Sequence, residues 1–179
     1  MKKKRGVLRW VVLGLVLVTC AVLALWSLVR HDQRAAIGEE LLYDDFGFRV
    51  RSVRTLEDVG DTDARLQAGA GQSFVVVRFE VENHARRVDY DMSNHRAVLE
   101  DETGRTFEVD ADATRALAEN THALSTPARI RAGDFTSSDL VFRVPAAVSA
   151  LRLRVKWKTE PFDGIDQTVF GDRAIVLGR

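Results

Sequence analysis

The chain has 179 residues, 46% of them hydrophobic, and its single cysteine excludes a fold held together by internal disulfides. Its 26 basic and 26 acidic side chains balance, but five of the basic ones lie in residues 1–9, which carry no acidic side chain. The rest of the chain is therefore acidic, with 26 acidic side chains against the 21 remaining basic ones. Because affinity for nucleic acids rests mainly on neutralising phosphates, this balance argues against nucleic-acid binding.

The amino-terminal segment combines a basic head, residues 1–9, with a long apolar run. Residues 10–29 contain no charge, and 20 helical residues span roughly 30 Å, the thickness of the hydrocarbon core of a bilayer. Trp10 and Trp26 lie near the two ends of the run, where indole rings favour the membrane interface. Because basic residues favour the cytoplasmic side, the segment predicts a single-pass transmembrane anchor with its amino terminus inside and residues 30–179 outside the cytoplasm.

Two forms of processing are alternatives to a retained anchor. A cleavable signal peptide has an apolar region of roughly 7–15 residues before a small-residue site, whereas this run is longer and contains "AVLA" in its interior. A lipoprotein signal would use Cys20, but Thr19 precedes it and mostly apolar residues follow. We carry the retained anchor forward, with residues 30–42 as a juxtamembrane linker.

Residues 43–179 are predicted to form one domain, in which hydrophobic residues mostly recur with a period of two, as in β-strands. "FGFRVRSV" alternates up to Val50, and Val53 falls out of phase, which indicates a bulge. "EDVGDTDARLQAGAGQ" then predicts a loop. The next strand, "SFVVVRFEVEN", is predicted to point one set of side chains into the core: Val75, Val77, Phe79 and Val81. The other set would point away from the core: Val76, Arg78, Glu80 and Glu82. Its three charged members would face solvent or a cross-strand partner.

The second half of the domain repeats this pattern. "VDYDM" alternates again, and "AVLEDETGRTFEV" predicts a hairpin in which Gly104 takes a positive φ. "DATRALAENTHAL" predicts one or two helical turns, and "DFTSSDLVFRVP", "LRLRVKWK" and "AIVL" predict three more strands. About seven short strands with almost no helix are typical of an antiparallel β-sandwich.

The segments "YDDFGFRV", "GQSFVVVRFEVEN", "AVLEDETGRTFEV" and "AGDFTSSDLVFRVP" resemble, in order and spacing, the bacterial extracytoplasmic family known as domain of unknown function 4352. The likeness covers roughly residues 43–157 and includes a D-x-x-G-R-x-[FY] hairpin. It implies an immunoglobulin-like sandwich, commonly tethered to a membrane, with no established activity and no catalytic residues to transfer. Because function does not follow from fold, the resemblance bears only on architecture and place.

Few patterns in the chain are typical of a chemical reaction. "GAGQS" lacks the lysine and the following helix of a phosphate loop, and no GxSxG motif is present. No metal-binding spacing links the four histidines: His31, His84, His95 and His122. His84 and His95 flank "RRVDYDM" and would approach each other across a strand pair. The acidic loop offers weak candidates for calcium, without EF-hand spacing: Asp58, Asp61 and Asp63. The sequence therefore predicts neither an enzyme nor a bound cofactor.

Two basic surfaces are candidates for partner binding. The first is an outward row on one strand: Arg152, Arg154, Lys156 and Lys158. Such a row docks an acidic partner or anionic lipid headgroups, guards an edge strand against pairing, or pairs with acids across the sheet. The second lies at one end of the sandwich, where loops often bind partners: Arg86, Arg87 and Tyr90.

We therefore expect a membrane-anchored, extracytoplasmic module that acts by protein–protein contact in the cell envelope. A module that binds calcium or an anionic envelope polymer is the alternative. A rise in melting temperature with calcium would favour that alternative, since a ligand that binds only the folded state stabilises it.

Overall fold

The computed structural model describes residues 14–22, 33–61, 65–121, 129–157 and 173–178. Residues 14–22 belong to helix α1, and α2 is Ala111–Thr121. The strands are β1 (Gln33–Ala35), β2 (Glu40–Tyr43), β3 (Phe46–Leu56), β4 (Asp58–Val59), β5 (Leu66–Gln67), β6 (Gln72–Asn83), β7 (Tyr90–Asp91), β8 (His95–Asp101), β9 (Thr106–Glu108), β10 (Arg129–Ile130), β11 (Phe135–Pro145), β12 (Leu151–Trp157) and β13 (Arg173–Val176).

Two sheets face each other and form a β-sandwich, as predicted. Sheet A has the order β1-β13-β12-β8-β9, and sheet B has the order β11-β6-β3-β2. The pairs β7–β10 and β4–β5 are separate short ladders. Among the described strands β1 and β13 run parallel, and the other pairs are antiparallel.

The main core lies between the sheets, where alternate side chains of the long strands meet. Its fully buried members come from both sheets: Phe48, Val50, Val77, Leu99, Phe142, Leu153 and Ile175. The predicted bulge is confirmed as a register shift between Val50 and Ser52 against β6. The predicted hairpin is confirmed as well, with Gly104 at φ 86° between β8 and β9.

A second, smaller core covers the outer face of sheet B. Helix α2 and the β4–β5 hairpin pack there against Phe74, Val76 and Val141. The prediction that Val76 points away from the core between the sheets is confirmed, but Val76 is fully buried because α2 covers it. With eleven residues, α2 exceeds the one or two turns that the sequence predicted, and it begins where Asp110 accepts a hydrogen bond from the backbone N–H of Ala113 at 3.0 Å.

Four other expectations need correction. The predicted linker, residues 30–42, contains β1 and most of β2, which are too short to show alternation in the sequence. The loop predicted over residues 57–72 contains the β4–β5 hairpin. "VDYDM" yields only the two-residue β7, because Met92–Asn94 forms a 3₁₀ turn. The described strand segments also outnumber the seven that were predicted.

The apolar amino-terminal run is described only over residues 14–22, where its side chains are exposed. Within the described residues, no helix combines the length and the apolar content that crossing a membrane requires. Trp10 and Trp26, the tryptophans predicted to lie at the membrane interface, are outside the described residues.

Candidate functional site

Two loops lie at one end of the sandwich, residues 84–89 after β6 and residues 131–134 between β10 and β11, and Asn83, the last residue of β6, contacts both. Asn83 has no exposed surface. Its side-chain amide donates hydrogen bonds to the carbonyl oxygens of Val88 at 2.8 Å and Ile130 at 3.0 Å, and its side-chain oxygen accepts one from the N–H of Ala85 at 3.0 Å. Its backbone N–H donates to Asp134 at 2.9 Å, and its carbonyl accepts from Gly133 at 2.8 Å. Asn83 therefore fixes both loops relative to each other.

These loops carry an exposed mixture of cations and apolar groups. Val88 and Phe135 are 62% and 67% exposed, high values for large hydrophobic side chains. Arg86, Arg87 and Arg131 are exposed beside them in sequence. We call these five residues the end-loop surface. Asp89 and Asp134 are exposed in the same loops, so the surface is mixed rather than purely basic.

Tyr90 does not belong to this surface, contrary to the sequence-based prediction. It is 2% exposed, its ring lies 4.4 Å from that of Phe46, and its hydroxyl group is hydrogen-bonded to Nδ1 of His95 at 2.8 Å. Burial raises the pKa of the Tyr90 hydroxyl well above its ordinary value, and the neighbouring charge of Asp91 raises it further. Tyr90 therefore closes the end of the main core below the loops.

The outer face of sheet B continues from these loops. At the level of Glu82, the register places Phe135, Glu82, Gly47 and Leu42 side by side across the four strands. Phe135 and Leu42, the outer members of this row, are exposed, whereas Gly47 provides no side chain. The row therefore has a hollow in its centre.

His84 and two glutamates converge at this hollow, and we call them the Glu–His cluster. Nε2 of His84 lies 3.1 Å from Oε1 of Glu40, and Nδ1 of His84 lies 3.7 Å from Oε1 of Glu82. One potential ligand atom from each of the three residues falls within 4.8 Å of the others. Arg49 also contacts Oε1 of Glu40, at 3.4 Å, but its shorter bond is to Glu80 at 2.7 Å.

Sequence reasoning placed His84 beside His95, whereas the structure gives the two imidazoles different partners. His95 stacks on Tyr90 inside the sandwich, and His84 lies with Glu40 and Glu82 on the outer face of sheet B. The convergence with Glu40 depends on strand pairing, which the sequence does not display. Two local signals were available: the spacing Glu82-x-His84, and Gly47 inside a strand, where glycine often marks a close approach.

Two members of the predicted basic row on β12 share one acidic partner. Arg152 and Arg154 both donate to the buried carboxylate of Glu100 on β8, the latter at 2.8 Å. Burial tends to raise the pKa of Glu100, but the two arginines together lower it. Because β12 lies between β13 and β8, the edge-guard alternative is wrong, and the pairing alternative describes these arginines. Lys156 is half-buried, and Lys158 lies outside the described residues.

Sheet B repeats this arrangement twice on its outer face. Glu80 accepts hydrogen bonds from Arg49 and Arg51, both with a shortest distance of 2.7 Å. Asp139 accepts from Arg78 at 2.7 Å and from Arg54 at 3.2 Å. The hydrogen bonds from Arg78 are the largest influence on Asp139, and they lower the pKa of that carboxyl. Of the two predicted alternatives, solvent or a cross-strand partner, the cross-strand partner describes Arg78 and Glu80.

One of the three calcium candidates in the acidic loop already has a basic partner. Asp58 forms a salt bridge with Arg65 across the β4–β5 hairpin, so its carboxylate is already neutralised. Asp61 is exposed, and Asp63 lies outside the described residues, as do His31 and His122. The neighbouring "GAGQS" residues line a groove of about 450 Å³ and lead into β6 rather than into a helix.

Comparisons with known proteins agree with this architecture. The family model described as Domain of unknown function (DUF4352) matches residues 35–166, and the chain belongs to this family. No curated protein matches the chain. Among solved structures, a conserved hypothetical protein from Bacillus anthracis is similar at a TM-score of 0.59 and 16% identity, over 68% of this chain and 89% of that one.

Two further structures are similar at a TM-score of 0.50. One is an uncharacterized β-sandwich protein from Clostridium difficile, 11% identical over 83% of this chain and 95% of that one. The other is the yjhA protein from Bacillus subtilis, 13% identical over 80% of this chain and 98% of that one. At these identities the likeness concerns the fold alone.

Proposed function

We propose that this protein is a membrane-anchored, non-catalytic, immunoglobulin-like module of the cell envelope that contacts another envelope protein through the end-loop surface. The observation that carries this proposal is the pair of loops held by Asn83. They present Val88 and Phe135 to solvent together with three exposed arginines. Aromatic side chains such as Phe135 and arginines are enriched where proteins bind each other, and a surface that is already ordered loses less entropy on binding.

The position of β1 supports a location of this surface near the membrane. Gln33 pairs with Arg173, whose guanidinium lies 4.1 Å above the ring of Tyr43. Tyr43 pairs with Phe46, and Phe46 pairs with Asn83. The first residue of β1 and the end-loop surface therefore share one end of the sandwich.

The proposed anchor, residues 10–29, ends four residues before Gln33. A chain advances at most about 3.5 Å per residue, so Gln33 lies within about 14 Å of the end of that segment. If the anchor spans the membrane, the end-loop surface lies beside the bilayer. The partner that fits this position is a membrane protein with an acidic, partly apolar patch close to the lipid surface.

The topology is tested by fusing alkaline phosphatase to the carboxy terminus of the full-length protein, since this enzyme is active only outside the cytoplasm. We expect an active fusion that fractionates with membranes. An inactive fusion, or one that is released in soluble form, would refute the anchored arrangement.

The contact is tested by photo-crosslinking in cells. A photoreactive phenylalanine analogue replaces Val88 or Phe135 in the tagged full-length protein. Thr103, in the β8–β9 hairpin at the opposite end of the sandwich, serves as the control position. We expect one envelope protein to be captured from both loop positions but not from position 103. The double variant Arg86→Glu, Arg87→Glu should abolish capture, whereas the control Arg115→Glu on α2 should not. Equal capture from all three positions would refute the assignment of the surface.

A further inference from the structure

We infer that the Glu–His cluster binds one divalent transition-metal ion, with Zn²⁺ as the representative case. An imidazole nitrogen and two carboxylate oxygens are ligands that Zn²⁺ takes in proteins. Calcium prefers six to eight oxygen ligands, so the histidine favours a transition metal over calcium.

The distances are close to those that a shared ion requires. With bonds of about 2.0–2.1 Å at tetrahedral angles, two ligand atoms on one zinc ion lie about 3.3 Å apart. Nε2 of His84 and Oε1 of Glu40 are 3.1 Å apart, near this value. The third ligand atom lies within 4.8 Å of the others, but Glu82 faces Nδ1, the other nitrogen of the ring, at 3.7 Å. Its partly exposed side chain therefore has to rotate toward Nε2 to reach the same ion. Water completes the coordination.

Gly47 gives independent support for the convergence. A Cβ atom at this position would lie 2.1 Å from Oε1 of Glu40 and 2.9 Å from Nε2 of His84. Any other residue would therefore displace two of the three proposed ligands. Glycine in a strand interior costs stability, and here its absence of a side chain creates the space in which the ligands meet.

Two strands and the start of a loop position the three proposed ligands. Glu40 lies on β2 and Glu82 on β6, and the two strands are separated by β3. The N–H of His84 donates to the carbonyl oxygen of Asp45 at 2.8 Å, which fixes the start of the loop. Because Asn83 lies between Glu82 and His84 and is fully buried, these two ligands have a rigid base.

The local charge also favours a cation. Two carboxylates lie on either side of the imidazole, and each has an arginine nearby. Arg49 contacts Glu40 at 3.4 Å and the charge of Arg51 acts on Glu82, but both arginines make their shorter bonds to Glu80. A divalent ion would neutralise both carboxylates, while Arg49 would keep its shorter bond to Glu80. This inference does not depend on the end-loop contact or on the anchor.

The test uses the full-length protein in non-ionic detergent micelles, stripped of metals and titrated with Zn²⁺ by calorimetry and with Co²⁺ by absorption spectroscopy. We expect one ion per chain, a cobalt spectrum with a nitrogen ligand, and a rise in melting temperature with Zn²⁺ but not with Ca²⁺. His84→Ala should weaken binding by about 100-fold or more, since even the loss of a ligand's outer partner costs about 10–100-fold.

Two further variants separate a metal site from a structural contact. Gly47→Ala retains all three ligands but displaces two of them, so it should weaken Zn²⁺ binding at least about tenfold while circular dichroism shows an intact fold. Glu102→Gln, an exposed acid in the opposite hairpin, is the control and should bind like the unmodified chain. If the full chain binds no ion, or if His84→Ala and Gly47→Ala bind as well as the control, the inference is wrong.

Discussion

The Asn83 network allows a stability prediction that also tests the end-loop surface. Asn83→Ala removes three side-chain hydrogen bonds, of 2.8, 3.0 and 3.0 Å. The carbonyl oxygen of the exposed Val88 can bond to water instead, which limits its loss to about 1 kcal/mol. Ile130 and Ala85 are buried, and each would leave a polar backbone atom unsatisfied at about 1–3 kcal/mol. We therefore expect the free energy of unfolding to fall by about 3–7 kcal/mol.

The assay is equilibrium unfolding in urea of the full-length protein in detergent micelles, with amide hydrogen exchange as a local readout. Exchange should increase at Ala85 and Gly133 and stay unchanged in the β8–β9 hairpin at the opposite end. Ser137→Ala, an exposed substitution on β11, is the control and should change stability by less than about 0.5 kcal/mol. If Asn83→Ala also lowered the free energy of unfolding by less than about 0.5 kcal/mol and left amide exchange in the loops unchanged, Asn83 would not hold the loops.

Two other predictions follow from buried groups. Asp139 has a lowered pKa in the folded state because of Arg78, so its contribution to stability is complete above its unfolded pKa of about 3.9 and is lost as the pH falls through the folded value. Asp139→Asn should therefore lower stability at neutral pH and flatten the decline in acid, and parallel pH–stability curves for the two proteins would contradict this. Val76→Ala should lower the free energy of unfolding by about 2 kcal/mol, since Val76 is fully buried under α2. A cost below about 0.5 kcal/mol would mean that Val76 faces solvent.

The long strands could be predicted because alternation is a local property of the chain. β3, β6, β11 and β12 each have seven or more residues, enough for the period of two to stand out. The hairpin with Gly104 was also visible, since a turn requires a residue that accepts a positive φ. β1 and β2 were missed because three and four residues cannot establish a period.

Other assignments depended on which element covers which face. The sequence placed Val76 correctly on the face away from the main core, but only the packing of α2 makes that face a second core. The alternation of "VDYDM" marked Tyr90, but its burial depends on how the loop closes over His95 and Phe46. For the row on β12 the sequence left docking, edge guarding and pairing with acids open, and strand order then brought Glu100 between Arg152 and Arg154.

The sequence by itself determined the strand character of the domain and its family, because periodicity and motif order are local properties that can be read along the chain. Tertiary structure alone decided which charges pair and where the Glu–His cluster forms. Glu40 and His84 are 44 residues apart, and they meet above Gly47 because β2, β3 and β6 pair in one register. A contact between distant residues depends on strand pairing and on the space left by neighbours, and neither has a local signature.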